Sequence, residues 1–265
     1  VSQEILNDQH VVVVGCGALG KNVAMSLASM GIGTLTLVDF DNIEEVNLGT
    51  QGWPAELVGR AKTEALAALC VQLNPALRVF TLNQKIDRPI AQNARYDGAA
   101  WTAPANWQGA TVICCVDKMS ARADIASHLW ELSGQFIDGR MAGLTGQVLA
   151  KIPGKFDLPA YCNTLVNDDA QFDGACTMQS TYFAAAITAG HMIGQWFKLI
   201  SENLNELVEP RIRFDLLSDT MEVMVGRAPE EQPLARGEEQ ARKERSVERT
   251  QLSRPLDVDQ AIAYE

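Results

Sequence analysis

His10-Val11-Val12-Val13-Val14-Gly15-Cys16-Gly17-Ala18-Leu19-Gly20-Lys21 is the first regular pattern in the chain. The valine run is apolar on both faces, as a strand buried inside a parallel sheet requires, and it stops at a glycine. Lys21 to Met30 then has helical composition and ends at Gly31-Ile32-Gly33, and Thr34 to Asp39 is a second β-branched run. Strand, glycine turn, helix and strand spell a βαβ unit, the opening of an α/β fold. Gly15, Gly17 and Gly20 satisfy G-x-G-x-x-G after a strand and before a helix, the context that gives this pattern meaning.

In such a turn the missing side chains let the backbone approach phosphate oxygens. The start of the next helix adds unpaired N–H groups and the positive end of its dipole. Asp39, at the end of the second strand and 19 residues after Gly20, is placed to accept hydrogen bonds from ribose hydroxyls. On these residues alone the ligand is a nucleotide, and a nicotinamide or flavin dinucleotide satisfies the fingerprint. A tight strand-to-helix turn without a ligand is the plain structural alternative.

The βα alternation continues along the chain. Pro54 to Asn74 carries a long helical pattern with Leu66, Leu69 and Leu73 on one face, closed by Pro75, and Arg78 to Leu82 reads as a third strand. Asp97 to Gln108 reads as a loop leading to the strand Thr111 to Val116. A helix from about Ala121 to Leu132, a strand at Phe136 to Asp138 and an antiparallel strand from Gly146 to Ile152 follow. Residues 153–178, with Pro, Gly, Asn and Asp throughout, read as a long crossover loop, a length that in compact domains is usually functional. Thr181 to Leu199 has the content of a mostly buried helix, and Arg211 to Leu217 with Thr220 to Val225 reads as a hairpin around Ser218-Asp219.

The expected fold is therefore α/β, a Rossmann-like, doubly wound, mainly parallel sheet with an antiparallel extension. Residues 1–227 are expected to form one domain, with its nucleotide-binding half at about 8–120. From Ala228 onward, charges such as Glu230, Glu231, Arg236, Lys243 and Glu248 leave almost no apolar face. Residues 228–265 thus read as a charged tail, extended or disordered.

With 47 % hydrophobic and 21 % charged residues, the 265-residue chain can bury a full core without disulfide or metal staples. Its cysteines form no C-x-x-C pair, so no structural zinc is expected and a reducing, cytoplasmic setting is the natural one. A net charge of −11 and a pI near 4.8 argue against a surface that tracks a phosphodiester backbone, so no nucleic acid partner is expected. The longest apolar runs are strand-length and no basic leader precedes the first, so no membrane partner is expected either.

Three further features are unexpected for a dehydrogenase. Asp39-Phe40-Asp41 carries a second carboxylate, and Glu44-Glu45-Val46-Asn47-Leu48 with Gln51 places a polar loop over the phosphate site. Gly59-Arg60-Ala61-Lys62-Thr63-Glu64 puts Lys62 at the start of the long helix. Thr111 to Val116 delivers Asp117 at the carboxyl end of its strand, where open α/β sheets bind ligands. Each has a plainer reading: Lys62 as a solvated lysine, Asp117 as a helix cap, Asn47 as a turn residue. Their joint occurrence around one glycine loop favours a site.

At these residues the chain resembles the ThiF/MoeB/HesA family, which shares its adenylation fold with the ubiquitin-activating enzymes. The matching residues are Gly15-Cys16-Gly17-Ala18-Leu19-Gly20, Leu35-Thr36-Leu37-Val38-Asp39-Phe40-Asp41, Asn47-Leu48, Gln51, Gly59-Arg60-Ala61-Lys62, Asn74-Pro75 and Val116-Asp117. The resemblance is specific from about residue 8 to 120, weaker to about 200, and absent over the last forty residues. It implies an ATP-dependent adenylyltransferase. The terminal carboxylate of a small ubiquitin-like or sulfur-carrier protein, or of a peptide, attacks the α-phosphorus of ATP to give an acyl-adenylate and pyrophosphate.

The resemblance also implies the roles. Gly15, Gly17, Ala18, Gly20, Asp39, Asp41, Asn47, Gln51 and Lys62 bind the nucleotide, with Asp39 on the ribose and Asn47 and Lys62 on phosphate oxygens. Asp117 organises Mg²⁺, Lys62 and Asp117 carry catalysis, and the protein pairs as a homodimer. Displacement at phosphorus between two anions needs cations and donors around the developing charge, so these residue types are appropriate parts.

Departures from the family pattern are also visible. Thr50-Gln51 stands where members usually have Arg before the glutamine, Ala18 takes a glycine position, and no arginine lies ahead of the first strand. The four zinc cysteines of many members are missing. Arg60, Arg122 and Arg140, the last in Asp138-Gly139-Arg140-Met141, are the candidates to replace the lost arginine. Cys176, just ahead of the buried helix, is the candidate nucleophile for a thioester step and is favoured over Cys162, because a helix N-terminus lowers a thiol pKa. Cys16, Cys70, Cys114 and Cys115 are expected to be packing residues. Two other functions stay open: a catalytically weak adenylation-fold scaffold subunit, and an NAD-dependent oxidoreductase.

Overall fold

The computed structural model describes residues 1–86, 107–165 and 182–224. The valine run is β1 (His10–Val14), at the centre of an eight-stranded sheet. With β2 (Thr34–Val38), β3 (Arg78–Leu82), β4 (Thr111–Cys114), β5 (Gln135–Ala142), β6 (Thr145–Ala150), β7 (Arg211–Asp215) and β8 (Thr220–Met224), the order is β3-β2-β1-β4-β5-β6-β7-β8. The pairings from β3 to β5 are parallel, and those from β5 to β8 are antiparallel. The doubly wound sheet with an antiparallel extension is thus as expected. Strand order reverses between β1 and β4, and the cleft at such a switch point is where open α/β sheets take ligands.

Alternation along the strands feeds two cores. Val11, Val13, Leu35 and Leu37 pack against α2 (Ala18–Met30), α4 (Lys62–Leu73) and α7 (Tyr182–Leu199) through Val23, Leu27, Leu66, Met192 and Trp196. Val12, Val14, Val112 and Cys114 face the other way, onto Ile125, Ala126 and Leu129 of α5 (Met119–Leu129) and onto Tyr161 of α6 (Leu158–Cys162). Burial of each large aliphatic side chain contributes roughly 1.5–3 kcal/mol. A short α1 (Gln3–Asn7), capped by Ser2, precedes the sheet, and α3 (Glu45–Gln51) follows β2.

Several boundaries move from those expected. The pattern over Pro54–Asn74 is broken into a 3₁₀ turn at Ala55–Leu57 and α4, because Gly59 adopts φ +88°, which no continuing helix allows. The strand expected at Phe136–Asp138 extends to Ala142, since its residues from Ile137 to Ala142 pair with β6. The helix at Tyr182–Leu199 is amphipathic rather than mostly buried: Phe183 and Ile187 are exposed while Met192 and Trp196 are buried. Within the expected crossover loop, α6 forms at residues 158–162, with Asp157 accepting from the Ala160 N–H at 2.9 Å. Residues 166–178 of that loop, with Cys176, most of the 97–108 loop and the charged tail beyond residue 224 lie outside the described residues. Among the described residues, no helix is long and apolar enough to cross a membrane.

Gly20 shows how tightly the first turn is closed. A Cβ there would lie 1.8 Å from the Gly15 carbonyl oxygen, backbone that cannot rotate away. Gly20→Ala is therefore expected to cost about 1–3 kcal/mol, read as a lowered urea midpoint. An unchanged midpoint would mean that the helix and turn separate freely.

Candidate active site

A cavity of about 920 Å³ opens over the carboxyl ends of the parallel strands. Of the residues named from sequence, Gly15, Gly17, Ala18, Asp39, Asp41, Asn47, Gln51, Lys62 and Asp117 all line it, and Gly20 does not. Gly20 instead packs under the turn. Gly15 takes φ +92°, and a Cβ there would meet the Cys115 carbonyl at 2.9 Å. The turn is thus pressed against the end of β4 while its open side faces the cavity.

Asp39 lies at the mouth of this turn. One carboxylate oxygen accepts from the Cys16 N–H at 2.6 Å and the other from the Asp41 N–H at 2.8 Å. Burial raises the Asp39 pKa above the usual carboxylate value, against the lowering effect of these N–H groups and of Lys62. Each oxygen retains a lone pair for a ligand hydroxyl. The glycine loop and Asp39 are therefore one hydrogen-bonded unit, so a ribose held there is fixed relative to the loop.

Lys62 is the first residue of α4 and is only 6 % exposed. Its ammonium meets Asp41 at 3.0 Å, and its own N–H donates to the Asp41 carbonyl at 3.0 Å. The pairing orients a buried cation along the cavity wall. Because the Asp41 side chain is 47 % exposed, the pair itself adds little stability. An incoming phosphate could take the ammonium with Asp41 turning to water.

α3 closes the cavity opposite. Asn47 Oδ1 accepts from the Glu44 N–H at 3.0 Å as part of a capping box, which leaves its amide nitrogen for the cavity. Gln51 accepts from the Trp53 indole at 3.1 Å and its carboxamide lies against Gly17. Lys21 is buried, donates to the Gly52 carbonyl and lies over the Trp53 and Tyr182 rings. It thereby anchors the end of α3.

Asp117 follows β4 on the cavity wall and accepts from the Lys118 N–H at 2.9 Å. The N-cap of α5 is Lys118, so Asp117 stands one residue outside the cap position. Among the described residues, no cluster of three or more His, Cys, Asp or Glu side chains could hold a metal ion. Mg²⁺ in nucleotide sites is commonly held by one or two carboxylates together with the phosphates, so a single Asp117 is compatible with that use.

The sequence reading missed Asp138. It is fully buried behind the cavity wall and ties two arginines that line the cavity. Arg122 donates to its carboxylate and also to the Val116 and Gly139 carbonyls. Arg140 Nε donates to it at 2.7 Å, with its remaining nitrogens on Thr164, and the Tyr161 hydroxyl donates at 3.0 Å. An acid closing the apolar strand Phe136-Ile137 was the available signal. Both arginines line the cavity but are held by protein acceptors, and Arg60 does not line it, so no candidate stands in the place of the missing phosphate arginine.

Burial pushes the Cys70 and Cys114 thiols up to about 12 and the Cys16 and Cys115 thiols well above their ordinary value. These four are packing residues, as expected. Cys162 is exposed at the end of α6.

The sequence profile of the ThiF family matches residues 1–234. The chain is 30 % identical over 152 residues to the sulfur carrier protein ThiS adenylyltransferase of Escherichia coli, covering 57 % of this chain and 56 % of that one. It is 29 % identical over 225 residues to human ubiquitin-like modifier-activating enzyme 7, covering 77 % of this chain and 20 % of that protein. The chain thus spans about half the length of the first relative or less of the second. Among solved structures, Escherichia coli MccB with MccA-N7isoASN superposes with a TM-score of 0.66 at 19 % identity, over 86 % of this chain and 68 % of that one. A profile match over most of the chain, on a sheet of the same architecture, places this protein in the ThiF family.

Proposed function

We propose that this protein uses ATP to adenylate the terminal carboxylate of a ubiquitin-like or sulfur-carrier protein or of a peptide. The observation that carries this is one cavity lined by the glycine loop, Asp39, Lys62 and Asp117. A carboxylate oxygen of the substrate bonds to the α-phosphorus, the bond to the bridging oxygen of the β-phosphate breaks, and pyrophosphate leaves with the electron pair. Asp39 holds the ribose, while the loop N–H groups, Asn47 and Lys62 meet phosphate oxygens. Gln51 rests on the loop. Mg²⁺ held by Asp117 and the phosphates would neutralise charge on the leaving group. The protein acts as a homodimer, which its mass in solution checks.

The commitment of Arg122 and Arg140 to Asp138 favours one second reading, a scaffold subunit with the same nucleotide site and slow turnover. Family membership leaves the NAD-dependent oxidoreductase without support. ATP with Mg²⁺ is expected to raise the melting temperature, since a ligand bound only by the native state stabilises it. NAD and NADP are expected not to, and Asp39→Ala should abolish the ATP shift. Stabilisation by NADH and not by ATP would overturn the nucleotide assignment. Substrate-dependent ATP–pyrophosphate exchange then separates the enzyme from the scaffold.

A further inference from the structure

The cavity is longer than the nucleotide machinery. The residues assigned to ATP belong to the segments at and after β1, β2 and β4, yet the wall continues to Gln147 on β6 and to Arg211 and Arg213 on β7. Four inter-strand steps lead from β1 to β7, about 19 Å at ~4.8 Å per step.

Arg211 and Arg213 are two apart on one strand, so both side chains leave the same face. Ile212 and Phe214 between and beside them are buried. Arg213 lies opposite Gln147 in the ladder. With its carboxamide turned to suit its neighbours, Gln147 accepts from Nε and Nη2 of Arg211, which orients that guanidinium. Glu222 lies opposite Arg213 on β8. Among the described residues, however, the ion pairs are Lys62–Asp41, Arg122–Asp138 and Arg140–Asp138, and none involves Arg213. In a chain with 33 acidic and 22 basic residues, the exposed Arg213 guanidinium on the cavity wall, with Gln147 and the oriented Arg211 beside it, presents the polarity that a carboxylate ligand meets.

We propose that Arg213 selects a substrate tail carrying an acidic side chain about four to six residues before the carboxylate that is activated, at ~3.3 Å of extended chain per residue. The position of that residue rests on the adenylation reading, because it is counted from a terminus seated at the glycine loop. Selection itself would be read as binding.

The test uses fluorescent heptapeptides with free carboxyl termini, labelled ahead of the first residue through a short spacer. Their last four positions are mixed, and their first three residues are all Asp, all Asn or all Lys. Anisotropy titration of the full chain with ATP present should show the Asp pool binding about tenfold tighter than the Asn pool, and the Lys pool weakest. R213E, at an exposed position, should keep the wild-type melting temperature and invert the order. Equal binding of the Asp and Lys pools, absence of binding by all three, or an Asp preference that survives R213E would overturn the proposal. Pyrophosphate exchange with the same pools separates the two ideas. Selective binding without exchange sinks adenylation and leaves the acidic site standing, whereas exchange without charge preference does the reverse.

Discussion

Replacing Lys62 with alanine is expected to lower substrate-driven ATP–pyrophosphate exchange about a hundredfold or more, the usual consequence of removing one preorganised charge partner from a reacting centre. The fold should survive. Lys62 is buried at the first turn of α4, but its partner Asp41 is half exposed, so the carboxylate left behind can be hydrated instead of being stranded. Loss of rate with a near-native melting temperature is the distinguishing pattern. Lys62→Arg should restore little, because a planar fork cannot occupy the position of a compact ammonium already held by Asp41. Exchange at the wild-type level in Lys62→Ala would reduce Lys62 to the partner of Asp41.

Legibility in the sequence followed the range of the interactions involved. The βαβ opening was readable because four valines, a glycine turn and a helix are contiguous, and local pattern decides such elements. Lys62 was readable as a helix start since Gly59 ends what precedes it. That Ala55–Leu57 form a separate 3₁₀ turn within Pro54–Asn74 was not readable, because the φ of +88° at Gly59 becomes visible only once the chain has turned. Strand β5 appeared too short for a similar reason: Gly139 to Ala142 are strand because β6 pairs with them, a partner that no local window contains. Asp138 was hidden most deeply. Its neutralising groups come from α5, from β5 itself and from α6, so only the assembled sheet explains a buried acid there. The same contacts explain why the missing arginine could not be matched by inspection, since two arginines at suitable positions are held by Asp138.

That network sets the largest expected stability change. Asp138→Asn preserves the shape of the side chain but leaves Arg122 and Arg140 buried with no counter-charge, and breaking one partner of a buried ion pair typically costs about 3–5 kcal/mol. Urea unfolding at pH 7 would measure it. The pH dependence follows from direction alone. Burial would raise the Asp138 pKa, but Arg122 and Arg140 outweigh it and hold the folded carboxyl below its ordinary value. A depressed folded pKa gives stability that is fully present above the unfolded value, ~3.9 for Asp, and is lost as pH falls through the folded one. The gap between wild type and Asp138→Asn should therefore be constant from pH 7 to about 5 and narrow below about 4. Structure and proposed function meet at this residue, since its carboxylate holds both cavity-lining guanidinium groups and restrains them from turning toward a phosphate. If Asp138→Asn were as stable as wild type, that restraint would be absent. Arg122 or Arg140 would then be free to take the place of the arginine missing before Gln51, and the variant should bind ATP at least as well as the parent.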